Sequence, residues 1–208
     1  MIDLYTFTTP NGRKISIALE ELGARYQVFP VNITRNEQFE PDFLKVSPNN
    51  KIPAIVDHEP PAAFGAGPHA VFESGAILLY LAEKFGRLLP ADARARGAAL
   101  QWLFWQMGGL GPMAGQAGHF RLFAPEKVPY GIKRYTDEVT RLYGVADKRL
   151  GEARYFAGDD YSIADIACWP WFVSWEKHGQ DLDRHPNLKR WFTEVGARPA
   201  VQRGMEVP

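Results

Sequence analysis

Asn49-Asn50-Lys51-Ile52-Pro53-Ala54-Ile55-Val56 joins two uncharged amides, a lysine and a proline directly to a β-branched run. Ile55 and Val56 read as a short buried strand. Proline cannot donate to a sheet ladder, so Pro53 belongs at the mouth of that strand. X-Pro bonds are the ones where a cis peptide costs little, and a cis bond here turns the backbone of Ile52 outward. An outward amide and carbonyl can pair with another extended chain, which is how a site captures a peptide. An ordinary loop proline entering a strand is the competing reading, and the flanking segments bear on the choice.

Upstream, Ile2, Leu4 and Thr6 alternate with Asp3, Tyr5 and Phe7, the pattern of a strand. It runs into the turn set Thr8-Thr9-Pro10-Asn11-Gly12, with a proline suited to a helix start. Ile15, Ala18, Leu19 and Leu22 then recur at helical spacing, and Gly23 supplies a stop. Tyr26 to Val31 gives a second strand, and a right-handed crossover makes the two strands parallel neighbours. Residues 37–47 hold a short irregular helix ending before Pro48. Downstream come a Pro/Gly/Ala-rich turn at 59–68 and a strand at Ala70-Val71-Phe72. Glu73-Ser74-Gly75 then opens a helix carrying Ile77, Leu78, Leu81 and Phe85, closed by Gly86. A small α/β domain is therefore expected over residues 1–86.

Beyond the linker Gly86-Arg87-Leu88-Leu89-Pro90 the strand signals vanish, and residues 91–208 read as an all-α domain. Residues 92–107 are helical and aromatic-rich, and Ile132, Tyr135, Val139, Leu142, Ala146 and Leu150 make a long helical stripe from Pro129. Tyr161-Ser162-Ile163-Ala164-Asp165-Ile166 carries a capping box, with Asp in place of the usual Glu. Pro186 to Gly196 is expected to be the last amphipathic helix. The run Gly108-Gly109-Leu110-Gly111-Pro112 follows a helix rather than a strand, so it predicts a kink or break and not a phosphate loop.

Lys plus Arg and Asp plus Glu both number 24, so the net charge is zero. There is no basic block for nucleic acid or an anionic membrane, no apolar run long enough for a span, and no basic flank of a secretory signal. The five histidines lack metal-ligand spacing, so no metal site is expected. The one cysteine, Cys168, excludes an intramolecular disulfide framework and falls among Ile166, Trp169 and Trp171, as a core thiol does. A cytoplasmic protein follows. Thr9, Pro10 and Asn11 at one helix start, Glu73 and Ser74 at another, and the Pro53 loop converge on one rim. Thr9 and Ser74 also fit as plain helix caps, and Asn11 as a turn former.

The succession Thr-Pro-Asn-Gly, Ser47-Pro48-Asn49-Asn50-Lys51-Ile52-Pro53-Ala54-Ile55 and Phe72-Glu73-Ser74-Gly75-Ala76-Ile77 resembles a glutathione transferase: a thioredoxin-like N-terminal domain, βαβ-ββα, then an all-helical C-terminal domain. Residues 99–116 and 161–171 closely resemble the Nu class, whose bacterial members act as glutathione-dependent disulfide-bond reductases. The resemblance covers essentially the whole chain. It implies glutathione as co-substrate, a homodimer, a cis Pro53, and pairing of the Ile52 backbone with the cysteinyl backbone of the ligand. It further implies that Glu73 and Ser74 hold the γ-glutamyl end and Lys51 the glycyl carboxylate, with Gln38 a second candidate nearby. Thr9 and Asn11 then face the sulfur as the catalytic residues.

Thioredoxin relatives carry a cysteine at this turn and this chain does not, so the nucleophile comes from the ligand. Tyr5 could mimic the catalytic tyrosine of other transferase classes, but its place inside a strand favours sheet packing. Arg134, just off the apolar stripe of its helix, either steers a second, anionic glutathione or is a solvated surface arginine. Two alternatives stand beside the reductase: a transferase or peroxidase acting on electrophiles or organic hydroperoxides, and a non-catalytic glutathione-binding regulator.

Overall fold

The computed structural model describes all 208 residues, which form two compact units: Met1–Leu89 with Arg198–Pro208, and Pro90–Ala197. In the first, β1 (Ile2–Thr6), α1 (Pro10–Leu22) and β2 (Tyr26–Pro30) make the expected βαβ element. Next come α2 (Pro41–Val46), β3 (Ala54–Asp57), β4 (His69–Phe72) and α3 (Ser74–Phe85). The sheet runs β2-β1-β3-β4, with β1 and β2 parallel and the other pairs antiparallel. Leu4 lies opposite Ile55, and Tyr5 opposite Ala54. Since strand side chains alternate between faces, Ala54 joins Val31 and Phe43 in a cluster that Tyr5, Val46 and Ile52 border. Leu4 and Ile55 are fully buried, as are Ile15, Leu19, Ile77 and Leu81 on α1 and α3, which pack on each other.

The sequence does not announce α9 (Pro199–Glu206), which belongs to this first unit and not to the helical domain drawn over 91–208. It lies along α1 because Gly204 has no side chain: a Cβ there would meet the Ile17 backbone at 2.6–2.7 Å. The Ser16 hydroxyl donates to the Gly204 carbonyl at 2.6 Å. Arg198 forks onto Glu21 at 2.6 and 2.9 Å, and Arg203 reaches Glu20 at 2.6 Å.

The second unit holds α4 (Ala93–Trp105), α5 (Gly111–Gly118), α6 (Pro129–Glu152), α7 (Ile163–Phe172) and α8 (Pro186–Gly196). Of the kink or break expected at Gly108–Pro112, the structure has no break: the helix passes through a π-turn, Gln106–Leu110, and α5 continues in helical geometry. A wide turn leaves a backbone acceptor without its usual donor, so the N–H that Pro112 lacks is not missed. The capping box of α7 forms as expected. Asp165 is fully buried and accepts from the Phe156 amide at 3.0 Å, the Ser162 amide at 3.0 Å, the Ser162 hydroxyl at 3.1 Å and the Trp191 indole at 2.9 Å. No helix is long and apolar enough to cross a membrane.

Candidate functional site

Three segments of the first unit meet at one cleft of about 150 Å³: the start of α1, the loop before β3 and the start of α3. At α1, Thr9 is the N-cap, in extended geometry, and its Oγ1 accepts from the Gly12 amide at 3.1 Å. An N-cap oxygen that accepts on one side still has an O–H to donate. Pro10 takes the first helical position, and Asn11, one residue further, lines the cleft.

The Ile52–Pro53 peptide is cis, as the resemblance implied. Ladder pairing of β3 begins at Ala54, so the Ile52 backbone lies beyond the sheet register. The loop is held by the Ser47 hydroxyl, which donates to the Lys51 carbonyl at 2.8 Å, and by the Asn50 amide on the Ser47 carbonyl at 2.9 Å. Asn50 adopts φ 49°, a left-handed conformation that asparagine tolerates better than most residues. Lys51 is exposed at the cleft edge.

At α3 the N-cap is Glu73, not Ser74. Ser74 is the first helical residue, nearly buried, with its hydroxyl oxygen accepting from Lys14 Nζ at 3.2 Å. Glu73 has φ 72° and ψ 115°, a conformation that costs a non-glycine residue on the order of 1–3 kcal/mol. Such strain persists where its surroundings enforce it, and it falls directly before the first turn of α3, whose amides lack partners within the helix, as at any helix start that can take an anion.

The cleft thus gathers Asn11, Lys51, Ile52, Pro53, Glu73 and Ser74. Thr9 stands two residues from Asn11 on the same helix start. Gln38 does not line the cleft; it sits in the 3-10 turn Glu37–Phe39 with Oε1 buried and unpartnered. Arg134 is in the other unit, exposed on α6 in a surface groove with Lys133, Asp137 and Arg141. Ser47, Phe72 and Lys14 belong to the cleft or its wall and were not picked out from sequence. Ser47 is conspicuous only as part of a Ser-Pro-Asn-Asn turn.

A glutathione S-transferase N-terminal domain model matches residues 1–83, and the C-terminal domain model of the same family matches residues 111–199. The chain belongs to the glutathione S-transferase family. It is 53% identical to the disulfide-bond oxidoreductase YfcG of Escherichia coli (strain K12), over 99% of this chain and 94% of that protein. A glutathione transferase family member from Pseudomonas fluorescens pf-5, solved with two glutathione bound, superposes with TM-score 0.92 at 47% identity, covering 100% of this chain and 93% of that one. A glutathione transferase from Pseudomonas putida, with one glutathione disulfide bound per protein subunit, gives 0.93 at 43% identity, covering 100% and 91%.

Within this glutathione S-transferase, Tyr5 packs in the sheet, stacked on Phe29 at 5.1 Å and tilted against Phe43 at 6.1 Å. Burial, with the nearby Asp3 charge, pushes its phenol above the ordinary range, the opposite of what a thiol-activating tyrosine needs. Cys168 is fully buried on α7. No group of His, Cys, Asp and Glu is placed to hold a metal ion.

Proposed function

We propose that this glutathione S-transferase is a glutathione-dependent disulfide-bond oxidoreductase in which the nucleophile is the thiolate of bound glutathione. The observation that carries this reading is a peptide-sized rim with no protein thiol on it: the chain's one cysteine is buried on α7. The relative named as a disulfide-bond oxidoreductase, and the neighbours solved with two glutathiones or a glutathione disulfide, agree with it.

The Ile52 backbone pairs with the cysteinyl backbone, Ser74 and the first α3 amides take the γ-glutamyl carboxylate, and Glu73 meets the ammonium. Lys51 holds the glycyl carboxylate, while Gln38, outside the cleft, takes no part in that end. The sulfur then lies at Thr9 and Asn11. A thiol near pKa ~8.5 is mostly protonated at neutral pH, and only the thiolate attacks. Donation from the Thr9 hydroxyl and the Asn11 amide favours the thiolate. That thiolate displaces one sulfur of the substrate disulfide, giving a mixed disulfide and a released thiolate. A second glutathione thiolate attacks the glutathione-side sulfur, giving glutathione disulfide and the second substrate thiol. A cytoplasmic homodimer completes the reading; a single buried thiol suits a reducing compartment.

Two outcomes follow. Thr9→Ala raises the pKa of bound glutathione by about one unit, because a charge-assisted hydrogen bond gives about 1.5–3 kcal/mol. Thiolate absorbance against pH, measured on the bound complex, reads this directly. Thr9→Ser retains the wild-type curve, while superimposable curves for wild type and Thr9→Ala reduce Thr9 to a helix cap. Cys168→Ala removes the last protein thiol and keeps disulfide reduction; a folded but inactive variant overturns the assignment of the nucleophile.

A further inference from the structure

Lys14 is 1% exposed on α1, which for a lysine demands an explanation. It shares the inward side of the helix with Ile17 and Ala18, three and four residues on, both buried. Its ammonium lies 3.2 Å from the Ser74 hydroxyl oxygen, and Ser74 lines the cleft while Lys14 does not. A buried charge contributes less to stability than an apolar residue of the same volume, so packing alone does not favour lysine here.

The site it backs has a polarity. The γ-glutamyl end of glutathione carries a carboxylate and an ammonium on one carbon, and the cleft offers two neighbouring positions for them, Glu73 and Ser74. A cation behind Ser74 favours an anion there and disfavours a cation, while the Glu73 carboxylate does the reverse. Lys14 and Ser74 are both buried, so the preference that the lysine sets is screened less than one between surface groups.

We infer that Lys14 is a specificity-determining residue that acts through Ser74, orienting the ligand's α-carboxylate and α-ammonium and restricting the site to thiols bearing a free α-amino-acid terminus. This rests on the placement of the γ-glutamyl end proposed above. Peptides with an ordinary α-linked N-terminus carry the ammonium without the adjacent carboxylate and are selected against.

The test compares glutathione with its decarboxylated analogue, 4-aminobutyryl-cysteinylglycine, by calorimetry on the full chain. Wild type binds glutathione at least tenfold more tightly than the analogue. Equal affinities for the two would remove the γ-glutamyl carboxylate from Ser74, and both the site reading and the role of Lys14 would fall. Lys14→Met weakens glutathione at least tenfold and leaves the analogue within twofold, so discrimination collapses. Discrimination that survives in Lys14→Met while wild type discriminates overturns the role of Lys14 alone. Lys14→Gln keeps a donor for Ser74 without the charge, and serves if the methionine variant does not fold. It too loses discrimination; retention there would mean that a neutral hydrogen bond suffices. Lys14→Arg keeps the charge and restores discrimination, which a purely structural lysine would not require.

Discussion

Asp165→Ala is expected to lower the stability of the helical unit by about 3–5 kcal/mol, a large part of the 5–15 kcal/mol that a typical domain has. The carboxylate is the common acceptor for two backbone amides, a serine hydroxyl and the Trp191 indole, all meeting it at 2.9–3.1 Å in the protein interior. Its loss leaves those donors buried without a partner, at roughly 1–3 kcal/mol each before relaxation. Asp165→Asn preserves the shape but turns an amide NH₂ toward donors, so it rescues only in part. Urea denaturation measures both, and a loss below 1 kcal/mol for the alanine variant would refute the account.

Asp165 also has a pH signature. Burial pushes its carboxyl up from 3.8 to about 6, with the four donors holding it down only in part. A folded-state value above the unfolded one means that the native protein binds the proton more tightly. The stability this group adds is therefore greatest below pH 4 and lost as pH rises toward 6. Measured against Asp165→Asn, which has nothing to titrate there, the wild type gains ground on acidification through that window. A pH-independent difference would show that the donors offset burial in full.

Gly12→Ala is expected to cost about 1–3 kcal/mol, toward the upper end because one obstructing atom belongs to the backbone. A Cβ at this position overlaps both the Phe7 carbonyl oxygen and Thr6 Oγ1. The start of α1 must then withdraw from β1, disturbing the Gly12 amide that Thr9 caps and the adjacent Asn11. Glutathione affinity falls along with thermal stability. Gly144→Ala is the control: nothing lies within 4 Å of a Cβ there, and alanine in an open helix gains up to about 1 kcal/mol. Equal melting temperatures for Gly12→Ala and wild type would sink the steric argument.

The features legible in the sequence are those whose causes are local. A proline before a β-branched run, a Thr-Pro-Asn-Gly turn and a Ser-x-x-Asp box each carry their own backbone preference, so the cleft's loop and both helix starts were readable. Helix α9 was not, because Ala200, Val201 and Gly204 give a short, weak apolar pattern, and the feature that fixes it is a close approach to Ile17 across the chain. Lys14 was invisible for a related reason: a lysine reads as solvated until α3, 60 residues on, is packed over it. An irregularity at Gly108–Pro112 was legible as a kink or break, but not its form, because a helix can absorb glycines and a proline by widening into a π-turn. Ser74 passed for a cap since its residue type favours one, yet the strained Glu73 holds that position.

The return of α9 to α1 bears on how the polypeptide is made. The unit that contains the cleft is discontinuous, its last helix separated from the remainder by the whole of the other unit. During synthesis from the N-terminus, residues 1–89 leave the ribosome with the Ile17 surface of α1 still uncovered and Glu20 and Glu21 without their arginine partners, Arg203 and Arg198. That surface is closed only when residues 198–208 emerge, after the whole helical unit has been synthesised and can begin to fold. Completion of the glutathione-binding unit therefore waits on synthesis of the other unit.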